Sequence, residues 1–123
     1  MRLRSPTLTA QELEIMKIVW DRENTTVRDV YEVLLERRKV AYTTVMTMMK
    51  ILEQKKYLKK KLADRAFIYH PAQPKGKVIG DMVREFVNRV FNGSAEPLLV
   101  HLVQEHDLSA GDVAEIARLR RKS

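Results

Sequence analysis

A chain of 123 residues is one ordinary domain or two very small ones, and half that length is marginally stable alone because it buries too little surface. It has no cysteine, which excludes disulfides, thiolate metal sites and cysteine nucleophiles and suits a reducing cytoplasm. The formal net charge is +7, which points either to a polyanion partner or simply to a basic, soluble surface.

The amino-terminal Met1-Arg2-Leu3-Arg4-Ser5-Pro6 has charges but no apolar stretch behind it, so a signal peptide is not expected, and no apolar run is long enough for membrane insertion. Thr9-Ala10-Gln11-Glu12 then has capping-box spacing, and Leu13, Met16, Val19 and Trp20 recur at helical spacing. A first helix is predicted over about residues 10–21, followed by a loop from Asp21 to Thr25. Thr26-Val27-Arg28-Asp29 is a second cap-like start, and Val27, Val30, Tyr31 and Leu34 form an apolar stripe. The basic run Arg37-Arg38-Lys39 is expected to end this helix, where cations suit the negative end of its dipole.

A third helix is predicted from about Tyr42 to Lys55. Val45, Met48, Met49 and Leu52 fall on one face; Thr43, Thr47, Lys50 and Gln54 fall opposite, flanked by Thr44 and Met46. An ordinary solvated face mixes Glu with Lys, yet this one has no acid before Glu53. The cluster of Thr and Val at its start is also poor for helix propensity, so something besides helix stability selects it.

Leu58 to Leu62 and Ala66 to His70 read as two short strands around Ala63-Asp64-Arg65, a turn without the usual glycine. Pro71 and Pro74 close this segment and start a linker. A fourth helix is expected over about residues 77–92, ending at Asn92-Gly93, with apolar residues over more than half its circumference, which implies two surfaces to bury. Ser94-Ala95-Glu96-Pro97 starts a fifth helix, whose Leu98, Leu99, Val100, Leu102 and Val103 point all round and predict full burial. Ser109-Ala110-Gly111-Asp112 starts a sixth, ending in a basic tail.

The fold expected from this order is mainly α: a winged helix-turn-helix of three helices and a two-stranded wing, followed by a helical dimerisation domain, with the boundary between residues 73 and 74. The charge agrees: residues 1–75 hold 16 basic and 9 acidic residues, and residues 76–123 hold seven of each. In such a fold the third helix lies in the major groove while the second helix and the wing hold phosphates. Candidate DNA-binding residues are therefore Tyr42, Thr43, Thr44, Met46, Thr47 and Lys50 on the third helix, with Arg28, Lys59 and Arg65 as phosphate contacts. The amino-terminal amides of the second and third helices are candidate anion sites as well. Thr methyls and Met46 suit thymine methyls, so the face fits an A·T-rich site better than a G-rich one. Candidate dimerisation residues are Phe86, Val90, Leu98 and Leu102, apolar groups that a lone copy would expose.

Three stretches carry a family resemblance: Leu13-Glu14-Ile15-Met16-Lys17-Ile18-Val19-Trp20, Thr26-Val27-Arg28-Asp29-Val30, and Ala41-Tyr42-Thr43-Thr44-Val45-Met46-Thr47-Met48-Met49. With Asp64-Arg65-Ala66-Phe67-Ile68-Tyr69 in the wing, and Val90-Phe91-Asn92-Gly93-Ser94 and Glu105-His106-Asp107-Leu108-Ser109 further on, the chain resembles the penicillinase and methicillin-resistance repressors of the BlaI/MecI type from about Leu8 to Leu119. The resemblance implies a cytoplasmic homodimer that binds a palindromic operator with TACA/TGTA-like half-sites. It also implies a membrane sensor or protease system that cuts the dimerisation domain at an Asn-Phe pair. The matching pair here is His101-Leu102, so neither proteolytic induction nor a β-lactam link follows. The cysteine-rich copper motif of one branch is absent.

No cofactor and no metal are expected. His101 and His106 are five apart across a helix end, and His70 belongs to the other lobe, which is not a ligand spacing. Met46, Met48 and Met49 are better explained by packing than by soft-metal binding. Lys59-Lys60-Lys61 reads either as a solvated edge that discourages strand pairing or as a wing lying against phosphates. With no nucleophile elbow, phosphate loop or HExxH pattern, an enzyme is not expected. The alternative from another class is a winged-helix protein–protein adaptor without sequence-specific DNA binding.

Overall fold

The computed structural model describes residues 8–122. The amino-terminal reading over residues 1–6 lies outside them, as do residue 123 and the side chains of residues 120–122. A capping box starts α1 (Ala10–Arg22): the Glu12 N–H donates to Thr9 Oγ1 at 3.1 Å and the Thr9 N–H donates to Glu12 Oε1 at 2.9 Å. The same device starts α2 (Val27–Leu35), where Thr26 and Asp29 exchange bonds of 3.1 Å each. Each such cap is worth about 1 kcal/mol.

α2 ends before the basic run, a correction to the expected boundary. The N–H groups of Arg37 and Arg38 both return to the Leu34 carbonyl, and their guanidinium Nη1 atoms reach Glu14 on α1 at 3.0 and 2.9 Å. The cations thus bridge the end of α2 to α1 instead of lying in the helix's last turn. α3 (Tyr42–Gln54) follows.

β1 (Leu58–Ala63) and β2 (Ala66–Pro71) pair antiparallel, with Leu58 opposite Pro71 and Ala63 opposite Ala66. The two-residue turn is Asp64-Arg65, and Asp64 at φ 55° takes the left-handed conformation that glycine usually supplies. Thr25 joins this sheet: its N–H donates to the Tyr69 carbonyl at 3.0 Å and the Tyr69 N–H donates back at 2.7 Å.

The core of this part is formed by Ile15, Met16 and Val19 of α1, Val30 and Leu34 of α2, Val45, Met49 and Leu52 of α3, and Leu58 and Tyr69 of the hairpin. One charged group lies among them. Glu12 is buried and is held by Lys55 Nζ at 2.8 Å, which ties the first turn of α1 to the end of α3.

Beyond β2 the chain stays pinned. The Ala72 N–H donates to the Tyr57 carbonyl at 2.9 Å, and Trp20 Nε1–H donates to the Gln73 carbonyl at 3.0 Å. α4 (Lys75–Phe91) begins two residues earlier than expected, because the Pro74 carbonyl already accepts the first helical bond from Val78 N–H.

The structure divides into two compact units, one ending at Ile79 and the other starting at Gly80. In the second unit, Asn92 at φ 55° and Gly93 at φ 88° stop α4, and the Gly93 N–H returns to the Val87 carbonyl. α5 (Glu96–His106) and α6 (Ala110–Lys122) follow, the latter started by a capping box between Ser109 and Asp112. The expected full burial of α5 is not observed: none of its residues is buried, and Leu99, Val100 and Val103 are exposed. An all-round apolar helix is buried only when its whole circumference is covered, which the second unit by itself does not do.

Candidate nucleic-acid interface

Core packing fixes the rotation of α3. Val45, Met49 and Leu52 are fully buried, so Thr43, Thr47, Lys50 and Gln54 stand on the exposed side, with Thr44 and Met46 exposed beside them. The acid at its end, Glu53, is half-buried and lies 3.3 Å from Lys60 Nζ on the hairpin. That pair keeps a carboxylate off the exposed face and ties the wing to α3.

The two helix starts differ. α3 follows Ala41, which offers no side-chain cap, so the positive end of its dipole remains available to an anion. At the start of α2 the Thr26 hydroxyl and the Asp29 carboxylate already take the Asp29 and Thr26 N–H groups, which leaves fewer amides for an anion than at α3. Arg28, in the first turn of α2, lies with its guanidinium carbon 5.7 Å from the ring centroid of Tyr42, the first residue of α3. Tyr31 meets the same ring edge-on at 5.3 Å and 81°. Arg28 Nη1 also lies 3.7 Å from Glu32, an exposed pair worth little by itself. Arg28 and Tyr42 are thus brought together at the start of α3. Sequence reasoning gave Tyr31 only a packing role, because no local spacing shows that it meets Tyr42.

Lys59 and Arg65 stand on the hairpin, Lys59 opposite His70 and Arg65 in the turn, both exposed. Lys60 is on the other face, with Nζ 4.4 Å over the Phe67 ring. Burial pushes the Tyr69 phenol above its ordinary pKa, against the opposing pull of the Lys60 charge. For Glu14, burial raises the pKa, but the hydrogen bonds and charges of Arg37 and Arg38 together outweigh it and hold the carboxyl below its usual value.

In the second unit, Phe86 and Val90 are exposed one turn apart on α4, and Leu98 and Leu102 are half-buried one turn apart on α5. Phe86 meets Phe91 edge-on at 5.9 Å, and the His101 ring lies 6.0 Å from that of Phe91. His101-Leu102 therefore sits inside a helical turn. His70 lies on β2, whereas His101 and His106 lie on α5, and among the described residues no group of three His, Cys, Asp or Glu side chains could hold a metal ion.

The likeness to known proteins follows the same lines. A "Transcriptional regulator BlaI" from Mycobacterium tuberculosis (strain ATCC 25618 / H37Rv) is 38% identical over 95 residues, 76% of this chain and 69% of that protein. The "Penicillinase repressor" of Bacillus licheniformis is 25% identical over 114 residues, 93% of this chain and 89% of its own length. The solution structure of the DNA-binding domain of the repressor BlaI superposes with a TM-score of 0.53 at 26% identity, over 60% of this chain and 90% of that one. A mutant MarR from E. coli complexed with operator DNA shares the fold at a TM-score of 0.53 and 17% identity, over 94% of this chain and 74% of its own. The family model described as "Penicillinase repressor" matches residues 8–122, and the chain belongs to that family of winged-helix transcriptional repressors.

Proposed function

We propose that the chain is a homodimeric repressor that holds α3 in the major groove of each half of an inverted-repeat operator. The observation that carries this reading is the exposed face of α3. It offers Thr43, Thr47 and Lys50 with Met46, its nearest acid is engaged by Lys60, and it stands on the unit that carries the basic charge. Short hydroxyl and apolar side chains in that array read thymine methyls and base-edge acceptors, which favours an A·T-rich half-site of the TACA/TGTA kind. Arg28 over Tyr42, the uncapped start of α3, Lys59 and Arg65 would hold phosphates on either side.

The dimer would form through the second unit. Phe86 and Val90 on α4, with Leu98 and Leu102 on α5, supply an apolar surface that one copy leaves partly open to water. A two-fold pairing there would set the distance between the recognition helices at about one helical turn of DNA or a multiple. Release by a sensor-driven protease is not part of this reading, because His101-Leu102 stands where the resemblance places an Asn-Phe pair. No helix among the described residues is long and apolar enough to cross a membrane.

The test is selection of random duplexes by the purified intact chain, followed by sequencing of those retained. An A·T-rich inverted repeat is the expected result. Retention without any shared motif, together with capture of a protein partner, would favour the adaptor reading instead.

A further inference from the structure

The hairpin ends in two large apolar side chains that its own core does not use. Leu62 and Phe67 are opposite each other in register, one residue pair from the turn, and remain 63% and 45% exposed. Strand alternation puts them on the same face as Leu58 and Tyr69, which are buried. The inner half of that face anchors the hairpin. The outer half, about 13 Å further along at about 3.3 Å per residue, carries apolar surface beyond the core. Lys60 links the two halves, with Nζ 4.4 Å over the Phe67 ring and 3.3 Å from Glu53 at the end of α3. The tip is therefore tied to the helix that faces the major groove.

Charge identifies what covers the pair. The hairpin carries Lys59, Lys60, Lys61 and Arg65 against the single acid Asp64. Lys60 is already engaged by Glu53, and a purely apolar protein surface gives Lys59, Lys61 and Arg65 no partner. A duplex groove gives phosphates to Arg65 at the turn and to Lys59 and Lys61 on the opposite face, and gives Leu and Phe the sugar edges and the faces of a base step.

We propose that Leu62 and Phe67 form an apolar wedge that enters the minor groove beside each half-site and opens one base step, bending the duplex. The proposal rests on the operator-binding reading and adds deformation of the DNA to it. It implies a preference for a flexible pyrimidine–purine step at a position where no side chain hydrogen-bonds a base.

Energy transfer between dyes at the two ends of the selected operator reads the bend, using the intact protein. Wild type should shorten the end-to-end distance by a bend of about 20–90°. Leu62→Ala with Phe67→Ala should abolish most of that shortening while the same operator stays bound. Leu62→Ala alone leaves Lys60 over Phe67 and should reduce the bend partway. Arg65→Ala should weaken binding and keep the bend. An unbent wild-type complex, or an equal bend in the double variant, overturns the wedge while leaving operator binding intact. A double variant that sizes as a monomer assigns the pair to a subunit contact and also overturns it. Failure of wild type to retain any DNA overturns both readings.

Discussion

Lys55→Met separates the last residue beyond α3 from the first turn of α1. In the native chain, Lys55 Nζ lies 2.8 and 3.1 Å from the two oxygens of Glu12, whose side chain is 7% exposed, against 23% for Lys55. Removing one partner of a fully buried pair costs about 3–5 kcal/mol, because a charge is left without compensation. Glu12 keeps the Thr9 N–H at 2.9 Å, and the lysine side is partly wet, so the expected loss is nearer about 2–3 kcal/mol. Urea unfolding at fixed protein concentration reads this directly. The partner variant Glu12→Gln, combined with Lys55→Met, should recover much of the loss, since no buried charge then remains. The pair also positions α3, so operator affinity should fall in the single variant and return in the double. A cost below about 0.5 kcal/mol, the range of ordinary surface changes, with no coupling in the cycle, would refute the reasoning.

Thr47→Ala should cost about 1–3 kcal/mol on the selected operator and leave random duplex unaffected, whereas Arg65→Ala should weaken all sequences alike and reduce the salt slope by about 1; competition titrations distinguish the two. Leu102→Asp should convert the proposed dimer to monomers in sedimentation at low micromolar concentration and release the operator without altering a proposed DNA contact. Equally tight binding by a well-folded monomer would contradict the assignment of the second unit. Glu14 is held below its ordinary value of 4.5 by Arg37 and Arg38 in the folded state, so its contribution to stability is complete above that value and is lost as the pH falls through the depressed folded value. Glu14→Gln should therefore flatten part of the acid limb of stability below pH 4.5, and an unchanged limb would show that the pair contributes nothing.

Local devices were readable from the chain because both partners lie within one turn. Thr9 with Glu12, Thr26 with Asp29 and Ser109 with Asp112 are three residues apart, and the structure forms all three capping boxes. The buried stripe of α3 was equally legible, since Val45, Met49 and Leu52 repeat at helical spacing and leave the threonine face outward. What was not legible joins distant residues. Glu12 and Lys55 are 43 apart, and Trp20 and Gln73 are 53 apart. Nothing in the pattern around Thr25 says that it pairs with Tyr69. The basic run after α2 misled for the same reason, since its partner Glu14 lies 23 residues from Arg37. The expectation for α5 read composition as burial, whereas burial depends on the surrounding structure, which the pattern of one helix does not show.

The most direct measurement is an anisotropy titration of the intact protein against the selected inverted repeat, a single half-site and a scrambled duplex over a series of salt concentrations. The expected result is two chains per full site, a preference over the scrambled duplex of at least about 10³, and a steep fall in log affinity with log salt, about 0.9 for each phosphate neutralised. Equal affinity for all three duplexes with a flat salt response would contradict the assignment of α3 and the wing as an operator-reading surface.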